Sequence, residues 1–234
     1  MQQYFAKNKN LDLEDGDYHH IKNVMKMKRG DLIKVVYDKI IYTCKLNNIS
    51  NKSTFDIIKK EENQNERVNI CVAFSLIKEQ KLNYLLQKTT ELGVNKLIPI
   101  ETKRSVVKIE GNKEKAKIDR WKKICKEASE QSFRTDIPEI SSILTLQGLV
   151  DLDYDLKLVC SLNKNTKNIK KILEKNNKCV KILLVVGPEG GFDPLEEEYL
   201  LENGFKSVSL GENVLRAETA PVVALSMINY EFMR

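Results

Sequence analysis

Beyond residue 68 the chain alternates apolar runs of strand length with amphipathic stretches of helical period, and that alternation admits few architectures. Val68–Ser75, Lys96–Ile100, Leu156–Leu162, Ile182–Val186 and Ser207–Leu210 read as strands, and helices are expected near 79–92, 113–133, 166–176, 194–203 and 220–232. Strands connected through helices return in the same direction, so they lie parallel in one sheet with helices on both faces. The second part of the chain is therefore expected to be α/β.

The first 60 residues follow a different pattern. Leu32–Tyr37 and Ile40–Cys44 flank Asp38-Lys39 as two strands flank a hairpin turn, and Thr54–Ile58 suits a third strand. Ahead of them, Tyr18 to Met27 places Ile21, Val24 and Met25 on one helical face, and Gly30-Asp31 turns the chain into the first strand. This describes a small barrel. The run Glu61-Glu-Asn-Gln-Asn-Glu-Arg67 has nothing to bury and reads as a linker, which divides the chain into domains 1–66 and 67–234.

Bulk properties exclude more than they assign. The 234 residues carry 39 Lys and Arg against 33 Asp and Glu, and a net charge of +6 is a mild bias towards polyanions. Cys44, Cys71, Cys125, Cys160 and Cys179 are odd in number and never spaced as C-x-x-C, so neither a disulfide framework nor a metal site is indicated. Met1-Gln-Gln-Tyr-Phe-Ala-Lys7 lacks an apolar signal core, and no apolar run reaches membrane-spanning length, so a cytoplasmic protein without a membrane partner is expected. No G-x-G-x-x-G follows an early strand, which argues against a Rossmann-type nucleotide enzyme.

Two loops concentrate the chemistry. Ile182-Leu-Leu-Val-Val186 runs into Gly187-Pro-Glu-Gly-Gly-Phe192, after which Asp193, Pro194 and Glu196 form a capped helix start. Glycines there let a ligand approach bare backbone at the carboxyl end of a strand, although a tight strand–helix connection needs the same residues. The second loop, Gly211 to Thr219, is bounded by a strand and by Pro221, which delays the next helix to about Ala220. Within it Val214 and Leu215 stand beside Arg216 and Glu218. Either these charges pair on the surface while Leu215 fills core, or all four line a pocket with apolar walls and a charged reacting end.

Together these loops resemble the last two motifs of the ribosomal RNA small subunit methyltransferase E (RsmE) family of the SPOUT superfamily. Gln87-Lys-Thr-Thr-Glu-Leu-Gly-Val94, Arg104-Ser105 after Pro99, and Glu127-Ala-Ser-Glu-Gln-Ser-Phe-Arg134 extend the similarity over nearly the whole chain. The resemblance implies an α/β fold with a SPOUT-type parallel sheet and C-terminal trefoil knot, an exception to unthreaded topology, preceded by a PUA-like β-barrel. It implies a homodimer that transfers a methyl group from S-adenosyl-L-methionine, without a metal, to N3 of a uridine in 16S rRNA of the small ribosomal subunit, and no DNA partner. Carried onto this sequence, the cofactor would contact Leu162, Gly187, Pro188, Glu189, Gly190, Gly191, Leu210, Gly211, Val214, Leu215, Ala217, Thr219 and Ala220. Arg216 and Glu218 would serve catalysis, and His20, Lys22, Lys26, Arg29, Arg104 and Arg134 would hold RNA.

Two departures bear on RNA. Gln2 and Gln3 precede Tyr4-Phe5 where the family usually has arginines, and Lys26 stands where arginine is common. Lysine cannot form a bidentate phosphate clamp, so N-terminal RNA contacts are expected to differ from the family pattern. The apolar stripe Ala224, Leu225, Ile228 and Phe232 suits either a core or a dimer contact. A competing reading is a non-catalytic RNA-binding assembly factor with a vestigial second domain, which would not bind S-adenosylmethionine.

Overall fold

A computed structural model describes residues 1–50, 52–62, 68–163 and 166–232. The chain forms two compact units: Met1–Glu66 with Lys126–Ile137, and Arg67–Cys125 with Pro138–Arg234.

In the first unit, four strands, β1 (Gln2–Phe5), β2 (Leu32–Tyr37), β3 (Ile40–Asn48) and β4 (Thr54–Glu62), form a sheet in sequence order. β1 pairs parallel to β2, and the other pairs are antiparallel. The β2–β3 hairpin turns at Asp38 and Lys39, with φ of 48° and 62°. Two successive positive values make the tight turn whose twist matches the flanking strands. β4 continues to Glu62, beyond its expected end at Ile58, because Glu61 and Glu62 pair with Ile41 and Ile40. The expected linker therefore begins inside a strand, and its remainder, 63–67, lies outside the described residues.

The helix expected over Tyr18–Met27 is different in kind. A short α1 (Asp15–His19) passes into a π-helical turn, His20–Val24, closed by Met25 N–H on the His20 carbonyl. That wider turn breaks the 3.6-residue register. Ile21 is buried, whereas Val24 and Met25 point outward. One face of the sheet packs Tyr4, Ile33, Val35, Cys44 and Leu46 against Leu11, Leu13, Tyr18 and Ile21.

The second unit holds seven strands: β5 (Asn69–Ser75), β6 (Lys96–Ile100), β7 (Glu139–Ile140), β8 (Leu156–Cys160), β9 (Lys167–Asn168), β10 (Lys181–Val186) and β11 (Lys206–Ser209). Their order is β7-β6-β5-β10-β8-β11-β9, and every pairing is parallel. The helices are α2 (Glu79–Glu91), α3 (Gly111–Gln131), α4 (Leu146–Val150), α5 (Ile169–Lys175), α6 (Pro194–Glu202) and α7 (Ala220–Phe232). The short β1, β7, β9 and α4 go beyond the elements expected from the pattern.

Alternation along β10 shows how this sheet is covered on both faces. Ile182, Leu184 and Val186 join one core with Phe74, Trp121, Leu225 and Ile228, while Leu183 and Val185 join another with Ile98, Leu149, Leu200 and Phe205. A strand buried on both sides has no polar position, which explains its unbroken apolar run. Ala224, Leu225 and Ile228 of α7 are fully buried within the chain, so core packing accounts for most of that stripe.

Candidate active site

The carboxyl ends of β8, β10 and β11 lie side by side, and the loops that leave them enclose a cleft of about 800 Å³. Ligands in open parallel sheets bind at such ends, because the departing loops diverge there and leave a crevice.

The glycine loop after β10 forms one wall. A Cβ at Gly187 would stand 3.1 Å from two carbons of the Phe192 ring, tighter than most real side-chain contacts, so glycine lets Phe192 pack back over the loop without giving way by a few tenths of an ångström. Gly191 adopts φ +67°, a left-handed geometry that costs any other residue energy. Asp193 then caps α6: its side chain accepts from Leu195 N–H, while Glu196 reaches back to the Asp193 N–H at 3.0 Å. The box read from sequence is thus formed in both halves.

The segment after β6 braces this wall. Arg104 Nη1 donates to the Gly190 carbonyl at 3.1 Å, and Lys103 pairs with Asp193 at 3.1 Å. The Lys103 ammonium, hydrogen-bonded to Asp193, is the main reason that the Asp193 carboxyl lies below the usual carboxylate range. Lys81 of α2 reaches Glu189 at 3.1 Å.

The opposite wall comes from the loop after β11. Val214 is 75% exposed and Leu162, two residues beyond β8, 64%, although both line the cleft. Exposed aliphatic side chains lining a cleft are unfavourable in water and suit a flat apolar ligand there. Ser161 of the β8 loop is hydrogen-bonded to Glu197 of α6, joining two elements at the cleft. Desolvation pushes the Cys160 thiol up to about 12, so the cleft presents a neutral thiol there.

Of the expected cofactor contacts, Leu162, Gly187, Pro188, Glu189, Gly190, Gly191, Leu210, Gly211, Val214, Leu215, Ala217 and Ala220 line this one cleft, and Arg216 lines it with them. Thr219 and Glu218 do not. Glu218 turns inward, 8% exposed, and its Oε2 lacks a hydrogen-bond partner. Lys81, Ser161, Asn163, Thr166, Glu197 and Ser209 line the cleft without having been singled out in the sequence. Their polarity alone carries no signal, because a serine or lysine after a strand is common; only the convergence of distant loops selects them.

The expected RNA residues separate. Arg104 lines the cleft. His20, whose Nδ1 lies 3.0 Å from Tyr4 Oη, belongs to the first unit, as do the exposed Lys22, Lys26 and Arg29. Arg134 also lies in the first unit, 8% exposed, with its guanidinium bonded to Asp136 at 3.1 Å. A buried, paired guanidinium braces its own loop.

Among the described residues no cluster of three His, Cys, Asp or Glu side chains could hold a metal ion, and no helix is long and apolar enough to cross a membrane.

A parallel sheet with a glycine-walled cleft at its carboxyl edge defines the class, and residues 64–229 match the family described as RNA methyltransferase domain, residues 13–60 the RNA methyltransferase PUA domain. Ribosomal RNA small subunit methyltransferase E of Bacillus subtilis is 35% identical over 99% of this chain and 97% of its own. The protein of the same name from Mesomycoplasma hyopneumoniae is 34% identical over 89% of this chain and 88% of its own. The crystal structure of a ribosomal RNA small subunit methyltransferase E from Neisseria gonorrhoeae, bound to S-adenosyl methionine, superposes with a TM-score of 0.89 at 27% identity, covering 98% of this chain and 97% of that one. The chain belongs to the ribosomal RNA small subunit methyltransferase E family.

Proposed function

We propose that this protein is a cytoplasmic, homodimeric methyltransferase that uses S-adenosylmethionine to modify N3 of a uridine in 16S rRNA of the small ribosomal subunit. The observation that supports this reading is the convergence of twelve family-pattern cofactor positions and Arg216 on one cleft. We read the segment from the glycine loop to α7 as the knotted part of the fold, and 1–66 and 67–234 as the two functional domains.

The residues present fit the donor. At Gly187, Gly190, Gly191 and Gly211 the backbone reaches the cleft with no side chain in the way, and Leu162, Leu210, Val214 and Leu215 offer apolar surface for a purine. Ala217 and Ala220 leave room beside them. Thr219 and Glu218 would support this wall from behind. The bound donor supplies an electrophilic methyl group on a sulfonium, so no metal is required.

The chain's own task is orientation and charge. Uracil N3 lies on the pairing edge, so the target nucleotide must be unpaired or extruded. Removal of the N3 proton leaves negative charge on the ring oxygens, and Arg216, exposed along the cleft and always protonated, is placed to stabilise it. Glu218, with a free carboxylate oxygen, would accept from Arg216 and set its orientation. Arg104 and the exposed Lys22, Lys26 and Arg29 would bind phosphates, with His20 beside them.

The test is nucleoside mass spectrometry of 16S rRNA methylated by the purified protein with labelled S-adenosylmethionine. Label in N3-methyluridine is the expected result. Binding of RNA without donor binding or label would support a non-enzymatic assembly factor instead.

A further inference from the structure

Phe133 has a backbone that its side chain does not favour. Its φ is +55°, in the left-handed region where glycine is the ordinary occupant and a bulky residue is rare. The ring gains little burial in return, being 49% exposed. A strained residue kept for an exposed aromatic ring directs attention to what that ring meets.

The surrounding chain holds this loop rigidly. Arg134 N–H donates to the Ser129 carbonyl, Gln3 Nε2 donates to the Arg134 carbonyl at 2.6 Å, and the Arg134 guanidinium is paired with Asp136. Gln3 is itself buried in β1. The departure from arginine at this position thus has a structural consequence, because a neutral amide secures the loop from below.

Pairing places Gln3 opposite Lys34, Lys34 opposite Thr43, and Thr43 opposite Lys59, so these four side chains form one row across the sheet. Their immediate neighbours Tyr4, Val35 and Tyr42 face the core, so the row lies on the opposite face, buried at Gln3, half-buried at Lys34 and Thr43, and exposed at Lys59. Lys34 Nζ stands 5.3 Å from the centre of the Phe133 ring. Lys59 continues the row and shares its charge with Glu61 at 2.8 Å.

From this placement we infer that Phe133 is a stacking platform for an unpaired RNA base, with Lys34 and the exposed Lys59 further along the row receiving the adjoining phosphates. An exposed aromatic face beside ammonium groups is what single-stranded RNA requires: stacking tolerates any base, and the charges follow the backbone. The inference deepens the proposed function and rests on its RNA substrate, but not on methyl transfer.

The test measures binding of the full chain to a single-stranded RNA oligonucleotide, and to the same RNA annealed to its complement, by fluorescence anisotropy. Phe133→Leu and Phe133→Gly should each weaken single-strand binding on the order of tenfold, as loss of one stacked base does, and change duplex binding less than twofold. Phe133→Tyr should retain wild-type affinity. Phe133→Gly suits the backbone, so an unchanged thermal midpoint separates loss of stacking from loss of fold. Unchanged single-strand affinity in Phe133→Leu and Phe133→Gly overturns the inference and would assign the ring to a protein partner. A wild-type chain that does not bind single-stranded RNA overturns it also. Base stacking without methyl transfer would leave the inference standing and remove the proposed enzymatic function.

Discussion

Arg104 and Gly190, 86 residues apart in the chain, are joined by a guanidinium-to-carbonyl hydrogen bond of 3.1 Å that ties the loop after β6 to the glycine loop after β10. The bond fixes one wall of the cleft before any ligand arrives, so its loss should be felt in binding. Arg104→Ala is expected to weaken S-adenosylmethionine binding about fivefold to tenfold, the worth of roughly one partly exposed hydrogen bond. Isothermal titration gives the value, and wild-type affinity in the variant would show that the wall holds itself.

Gly187→Ala tests the same wall from inside. The added methyl meets Phe192 ring carbons at 3.1 Å and the Phe192 backbone nitrogen at 3.3 Å, so ring and loop must move. Overpacking of this kind costs about 1–3 kcal/mol. We expect a lowered unfolding midpoint together with a larger loss of donor affinity; a variant as stable and as tight-binding as wild type would contradict the packing described.

Arg216 should divide binding from chemistry. It lines the cleft with its side chain exposed, so Arg216→Ala should change donor affinity by no more than about twofold to threefold while turnover falls roughly a hundredfold, the usual cost of one charge-stabilising donor. Single-turnover methylation at saturating RNA makes the comparison. Equal losses in both quantities would move Arg216 from transition-state stabilisation to simple binding.

A pH effect is expected from the first unit. Glu130 lies among Lys126, Asp17 and Phe5 N–H, and burial, partly opposed by Lys126, pushes its carboxyl up to about 7. A carboxyl with a higher value folded than unfolded binds more protons in the folded state, so its contribution is full below the unfolded value near 4.5 and declines as pH rises towards about 7. Glu130→Gln keeps an acceptor for Phe5 and removes the titration. Urea unfolding between pH 4.5 and 7 should show wild-type stability falling relative to the variant; parallel curves would exclude the effect.

Trp121 anchors the core of the second unit, 2% exposed and edge-to-face with Phe74 at 6.4 Å between ring centres. Trp121→Ala should cost about 3–5 kcal/mol, and Trp121→Phe less, because an aromatic ring remains against Phe74. Denaturation followed by far-ultraviolet circular dichroism reads both, and equal losses would mean that ring contact adds nothing beyond volume.

Sequence determined what depends on neighbours along the chain. The period of burial marked β5, β6, β8, β10 and β11, the pair Asp38-Lys39 marked a tight turn, and Asp193 with Glu196 marked a helix start, because propensity, capping and alternation are local properties. The two cleft loops were also legible, since glycines at a strand end and a proline after a mixed apolar and charged loop restrict the backbone where they stand. Tertiary structure decided which loops meet. Nothing near Arg104 announces Gly190, nothing near Ser161 announces Glu197, and nothing near Arg134 announces Gln3, whose amide holds the Arg134 carbonyl. β1 was hidden for the same reason: its four residues become a strand only by pairing with β2, some thirty positions onward. Such contacts are set by the folding of a whole sheet, whose free energy is shared among many residues and is written in no single stretch of them.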